Sequence, residues 1–332
     1  MIYNKGNSLQ RQFVTGRYTL ALLLGGAAIL WLAGVMGAIA FGSVGPRSFW
    51  SGFLPLWIEE VLAFGVYVAA ALLLNSFVIV EGRTPWLGGL FVWLAACCLS
   101  LHGNLTLALS VLALLLLLAV LTACHPRENV QRWLYTAFAL FATAALLVPQ
   151  FVYLLPLYLL FMSMTGVMNV RNVLAALLGL LTPLWMLFAA IIIVPELSFL
   201  GQGLTDALDA MLLFSFAVPR PDILLPMAIE AVVTLWAAAV FSRCPSPAKP
   251  LMRRVLSLFI YMNIYLWLLS WLLSWLLSGS ALMLFVWRLP GVALFVAYIF
   301  SLRFTKLYNI CFWILALMSI VVVLFNVWLW IF

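Results

Sequence analysis

The sequence predicts an all-α, polytopic transmembrane helical bundle of about eleven spans, with the N-terminus cytoplasmic and the C-terminus outside. Three observations lead there. The composition is 67% hydrophobic and 8% charged, with a mean hydropathy of +1.23, whereas a soluble domain is about 45–50% apolar and about 25% charged. The apolar residues fall in long runs bounded by charges and turn residues, and lipid forces such runs into helices because it cannot satisfy open backbone groups. The cations segregate to alternate connections. A water-soluble fold and a disordered chain are thereby excluded. At about 20 residues per crossing, the chain is one membrane domain over 1–332, with nothing left for a soluble catalytic domain.

The first run, Tyr18 to Phe41, follows a basic segment, 1–17, that carries Lys5, Arg11 and Arg17. Ala38-Ile39-Ala40 resembles a signal-peptidase site, yet the run exceeds a secretory h-region and is expected to remain as an anchor. Its outside loop is rich in aromatics (Phe49, Trp50, Phe53, Trp57), which suit the headgroup region. The next runs are Val61 to Val80, Trp86 to Leu101, Leu105 to Ala123, Trp133 to Val148, Phe151 to Met164 and Val173 to Val194. A long loop, 195–222, follows, and within it Thr205 to Val218 has the pattern of an interfacial or re-entrant helix, with Asp206 and Asp209 on one face. Ile223 to Phe241 then leads to a Pro-rich, basic hinge, 242–254. The last runs are Val255 to Leu277, Ala281 to Phe300 and Tyr308 to Phe332. The ninth contains a Trp-Leu-Leu-Ser repeat from Trp267 to Ser278, whose step of four winds Trp and Ser into adjacent stripes. The Ser stripe suits close helix packing, and a sugar- or lipid-stacking Trp ladder is the alternative.

With this count, thirteen of the sixteen cations fall on the cytoplasmic side, while Glu59, Glu60, Glu196, Asp206, Asp209 and Asp222 fall outside. The net charge of +7 is therefore a dipole across the membrane rather than a nucleic-acid footprint. The five cysteines all fall outside the exterior loops, so no disulfide framework is expected. Cys124-His125 and Cys244 lack further ligands at metal spacing, and neither a metal nor a cofactor is expected. Membrane lipids, a polyprenyl-phosphate lipid among them, and other membrane proteins are the expected partners.

Glu230 and Arg288 are the ionisable residues left inside the predicted spans, where a charge costs about 2.5–3.5 kcal/mol on insertion scales. Each is the eighth residue of its run, which by helical rise places both about 10 Å below the outer boundary. Two readings follow: a buried ion pair that fixes helix register, or a substrate-binding site for an anion or headgroup. Arg288-Leu289-Pro290-Gly291 is expected to break the tenth span, as breaks in transporters often accompany sites. Glu59 and Glu60 are read first as acids stabilising the start of a helix that begins outside. Their alternative role is that of a catalytic general base.

That alternative carries a limited resemblance to multi-spanning glycosyltransferases that use polyprenyl-phosphate sugars, which have an acid in the first outside loop and a cation for the donor phosphate. Here Glu59-Glu60 stands without a paired Asp motif, and Arg288 would take the phosphate. A broader resemblance covers about residues 70 to 190, through Leu74-Asn75-Ser76-Phe77-Val78-Ile79-Val80, Tyr153-Leu154-Leu155-Pro156-Leu157-Tyr158, Arg171-Asn172-Val173-Leu174-Ala175 and Leu178-Gly179-Leu180-Leu181-Thr182-Pro183-Leu184-Trp185. These segments are similar to an uncharacterised family, a domain of unknown function, of bacterial inner-membrane proteins. The resemblance implies that location and carries no catalytic residues. Three functions remain open: a binder or transporter of an anionic or lipid-linked substrate at Arg288 and Glu230, a non-catalytic membrane subunit or scaffold, and a periplasm-facing glycosyltransferase.

Overall fold

The computed structural model describes residues 13–14, 16, 18–41, 55–77, 86–123, 129–164, 166–194, 221–243, 250–274, 281–302 and 306–331. These form eleven α-helices: α1 (Thr19–Phe41), α2 (Leu56–Phe77), α3 (Trp86–Cys97), α4 (Leu105–Ala123), α5 (Val130–Leu147), α6 (Leu155–Met164), α7 (Val170–Ile193), α8 (Pro221–Arg243), α9 (Pro250–Ser274), α10 (Ala281–Leu302) and α11 (Lys306–Ile331). Short 3-10 segments, Leu99–Leu101 and Pro149–Leu154, precede α4 and α6. Each apolar run read from the sequence corresponds to one of these helices. The predicted interfacial helix, the aromatic loop before Pro55, the basic segment before Phe13, and Cys124, His125 and Cys244 lie outside the described residues.

Among the described residues, six stretches are long and apolar enough to cross a membrane: Trp57–Ser76, Leu105–Thr122, Val130–Leu147, Val170–Ile193, Leu282–Ser301 and Lys306–Trp328. The surfaces agree. α7 turns Leu177, Leu181, Trp185 and Phe188 outward, and α11 does the same with Ile310, Leu317 and Leu324. Apolar faces of that size are costly in water and compatible with lipid. α10 is the opposite case. It is apolar nearly all round, and every described side chain from Leu282 to Phe300 is buried, as expected of a helix at the centre of its bundle.

The chain divides into two compact units. One comprises 1–112, 219–268 and 282–332, and the other 113–218 and 269–281. In the first, α3 packs against α1, α2 and α11. Gly88 permits the α2 contact, since a Cβ there would lie 2.8 Å from the Ala71 carbonyl oxygen, and its N–H donates to Asn75 Oδ1 at 2.9 Å. From the other side Trp93 Nε1 donates to Ser319 Oγ (3.3 Å), and Asn326 Nδ2 donates to the Cys97 carbonyl (3.1 Å). α10 is tied to α4 by Trp287 Nε1, which donates to Ser110 Oγ at 3.0 Å. In the second unit, α5 packs along α7, with Tyr135 Oη and Thr182 Oγ1 bonded at 3.0 Å. Phe141 closes on Phe151 and Tyr158 edge-on, which seats the 3-10 turn and α6 beneath α5.

Three expectations are corrected. The tenth helix is not broken: α10 continues through Pro290 and Gly291 to Leu302. Pro removes only one backbone donor, and neighbours that bury the helix on all sides hold the rest of the ladder in place. Gly291 serves packing instead, because a Cβ there would lie 2.7 Å from Asn263 Oδ1 on α9. The basic hinge is shorter than the composition suggested. α8 runs on to Arg243 and α9 already begins at Pro250, where proline is tolerated in a first turn. The sixth run is a helix only from Leu155, since Pro149 starts a 3-10 turn.

Candidate functional site

Glu230 sits midway along α8 and Arg288 early in α10, and the predicted equality of depth is realised as contact. Arg288 Nε lies 2.9 Å from Glu230 Oε1, with both side chains almost wholly buried. The contact is Coulombic alone. Among the described residues, Nε, Nη1 and Nη2 donate no hydrogen bond, and neither carboxylate oxygen accepts one. A buried ion pair offsets its desolvation only with good geometry and further hydrogen bonds, so this pair is left with a deficit. Asn263, one helical turn along α10 at the Gly291 contact, is also buried, and its amide is without a partner among the described residues.

Glu230 also forms part of the wall of a cavity of about 360 Å³ within this unit. Phe285, Leu289, Val296 and Phe300 line one side and lie on a single face of α10, at a spacing of i, i+4, i+11 and i+15. Trp86, Trp93 and Cys97 of α3 and Phe312 and Ser319 of α11 line the others. The lining runs from Phe285 to Phe300 on α10 and from Phe312 to Val322 on α11, which by helical rise is about 22 and 15 Å. The cavity is thus a narrow slot along the helices. Leu22 of α1 and Ile320 of α11 belong to its lining and are 67% and 49% exposed, so it opens sideways through an apolar mouth.

The structure gives Glu59 and Glu60 a different place. Glu59 lies in the first turn of α2 and Glu60 follows it; they are 1% and 4% exposed and are not among the described residues lining the slot. They reach the connection between α3 and α4. Glu59 Oε1 accepts the Leu105 N–H at the start of α4 (3.5 Å), and the Glu60 carboxylate accepts the Gly103 N–H. Gly103 has φ +68°, a value that favours glycine and turns this N–H toward Glu60. Asn104 caps α4, its Oδ1 accepting the Leu107 N–H at 3.1 Å. The two acids, near the start of α2, thus also contact the segment that begins α4.

His102, in the same connection, was not singled out by any sequence pattern. Its ring stacks on Trp31 with centroids 4.1 Å apart, and Nε2 lies 3.0 Å from the Ala96 carbonyl, which assigns the proton to that nitrogen. Trp31 Nε1 in turn donates to the Glu60 carbonyl at 3.1 Å. Burial pushes the His102 imidazole down to about 4, against the smaller opposing effect of the Ala96 hydrogen bond. Asn263 was equally illegible. An isolated amide in an apolar run has no periodicity to announce it.

Fold and site together define an all-α membrane-type protein with, among the described residues, six helices long and apolar enough to span, a buried ion pair, and an apolar slot beside it. No family model matches the chain, and no curated protein or solved structure is similar to it.

Proposed function

We propose that the chain is a multi-pass protein of the bacterial inner membrane that binds, and in doing so carries or presents, a lipid-derived molecule in the slot, with Glu230 and Arg288 at its polar end. One observation supports this above the others: Glu230, one member of a buried ion pair lacking hydrogen-bond partners, lines an apolar slot with a lateral mouth. A lateral mouth between lipid-facing helices admits molecules from the bilayer rather than from water. At about 360 Å³ the slot falls within the range of ligand pockets, about 300–1,000 Å³.

The test is native mass spectrometry of the chain extracted in mild detergent. A retained lipid-mass adduct is expected, and Ala316→Phe, which fills the slot from α11, should abolish it. A chain free of adducts, or an adduct indifferent to Ala316→Phe, would refute the reading. A second reading, a non-catalytic membrane subunit in which the pair only fixes the register of α8 against α10, is favoured by the direct 2.9 Å contact. The glycosyltransferase reading draws no support from Glu59 and Glu60, which each turn toward a backbone N–H of the α3–α4 connection and are not among the described residues lining the slot.

A further inference from the structure

We infer that the occupant of the slot carries an uncharged hydroxyl at one end of an apolar body, and that this hydroxyl donates to the Glu230 carboxylate. The inference rests on the reading of the slot as a lipid-binding site. It follows from what the wall offers. Glu230 is the sole charged residue among the described residues of the lining, and Arg288 meets its carboxylate from outside that lining, Nε lying 2.9 Å from Oε1. Paired in this way, Glu230 is a carboxylate, an acceptor-only group with about four lone-pair positions on its two oxygens. Both oxygens are buried, and neither accepts a hydrogen bond among the described residues. What the polar end lacks is a donor.

The other polar groups of the wall do not supply one. Ser319 Oγ donates to the Ala316 carbonyl at 2.7 Å and accepts Trp93 Nε1 at 3.3 Å, so both side chains are engaged with each other. Trp86 Nε1 is an unmet donor, but it belongs to the opposite end. The Trp86 ring packs edge-on against Phe13, and Phe13 and Phe300 both pack on Phe312. Glu230 instead meets Arg288, which lies in sequence between Phe285 and Leu289, the first two α10 residues of the lining.

These facts rank the possible heads. A phosphate or a carboxylate sets like charge against the one charged group of the wall and brings no donor. An ammonium donates, yet it must be stripped of water, and the charge that would compensate it is already met by Arg288. A hydroxyl donates without a charge to desolvate. The rest of the molecule is apolar, because Phe285, Leu289, Val296 and Phe300 make up the α10 wall.

The experiment adds hexadecanol, its methyl ether, hexadecylamine or hexadecyl phosphate to the detergent-purified full chain, at equal loading, and follows occupancy by native mass spectrometry. The ether keeps the chain and the accepting oxygen, which serves Trp86 as well as a hydroxyl does, and lacks only the donor. Hexadecanol is expected to bind at least about tenfold more tightly than each of the other three, since its hydrogen bond goes to a charged acceptor. This wild-type comparison decides the head without any variant. Ala316→Phe should remove the bound alcohol, and Glu230→Leu combined with Arg288→Met, which keeps the slot without the charged pair, should bind alcohol and ether alike. Geranylgeraniol and dioctanoylglycerol, compared in the same way, assign the hydroxyl to an isoprenoid alcohol or to a glyceride. Equal binding of alcohol and ether, a preference for the amine or the phosphate, or an alcohol preference that survives in the double variant would overturn the hydroxyl head and leave the slot reading intact. If none of the four binds, or if Ala316→Phe leaves binding unchanged, the slot reading itself fails.

Discussion

Removing either member of the Glu230–Arg288 pair should destabilise the protein strongly, and removing both should not. The two groups meet at 2.9 Å with almost no exposure, so Glu230→Leu leaves a guanidinium, and Arg288→Met a carboxylate, without its counter-charge in a low-dielectric interior. Breaking such a pair costs about 3–5 kcal/mol, whereas replacing both members with apolar groups of similar volume is often neutral or stabilising by about 1–4 kcal/mol. The absence of supporting hydrogen bonds at this site places the double variant toward the stabilising end. The assay is reversible unfolding in mixed micelles, read as the denaturant fraction at the midpoint, for the wild type, both single variants and the double variant. The cycle should return a coupling of several kcal/mol, with the double variant at least as stable as the wild type. Additive losses, with the double variant the least stable of the four, would show that each side chain is held by contacts other than its partner. Ligand retention separates the two roles of the pair. A double variant that folds well yet loses the adduct assigns the pair to binding, while one that folds and keeps it assigns the pair to register.

Four further outcomes are expected. Gly179→Ala should separate α5 from α7, because its Cβ would overlap the Tyr135 carbonyl oxygen and come within 3.1 Å of Ala139 N. The overpacking cost of about 1–3 kcal/mol exceeds the gain of about 1 kcal/mol in helix propensity. Gly65→Ala is the internal control: a Cβ there meets nothing within 4 Å, so thermal stability in detergent should rise, and equal shifts in both variants would contradict the packing account. Asn104→Ala should cost about 1 kcal/mol by removing the cap of α4, measurable by the same unfolding titration. For His102, whose folded value of about 4 lies below the ordinary value of 6.5, the unfolded chain binds the extra proton between those limits. The contribution of His102 is therefore complete above about pH 6.5 and is lost as the pH falls toward 4, by up to about 1.4 kcal/mol per unit. His102→Gln should flatten that part of the stability profile, and an unchanged profile would count against a neutral buried imidazole.

How much was legible in advance differs between particular residues. The α4 run was read to the residue, Leu105 to Ala123, because charges and a Gly-Asn turn bracket it. α10 was misread as broken. Pro290-Gly291 carries the local signature of an interruption, and only surrounding helices, which a one-dimensional reading does not contain, decide that the ladder persists. Glu230 and Arg288 stood out because a charge in an apolar run is costly wherever its partner lies. Glu59 and Glu60 mark the beginning of α2 in the sequence, but that they hold the beginning of α4 depends on how α2 meets the α3–α4 connection.

By itself, the sequence determined that this is an all-α chain suited to lipid, where its helices run, and which two charges demand explanation. Each of these follows from transfer energies summed along the chain, and such sums need no knowledge of neighbours. The tertiary structure alone decided that the two charges touch, that Glu230 lines an apolar slot, and that His102 and Asn263 are buried. Those are properties of side-chain packing between helices distant in sequence. The apolar pattern specifies that a face is buried, but not which face of which helix it meets.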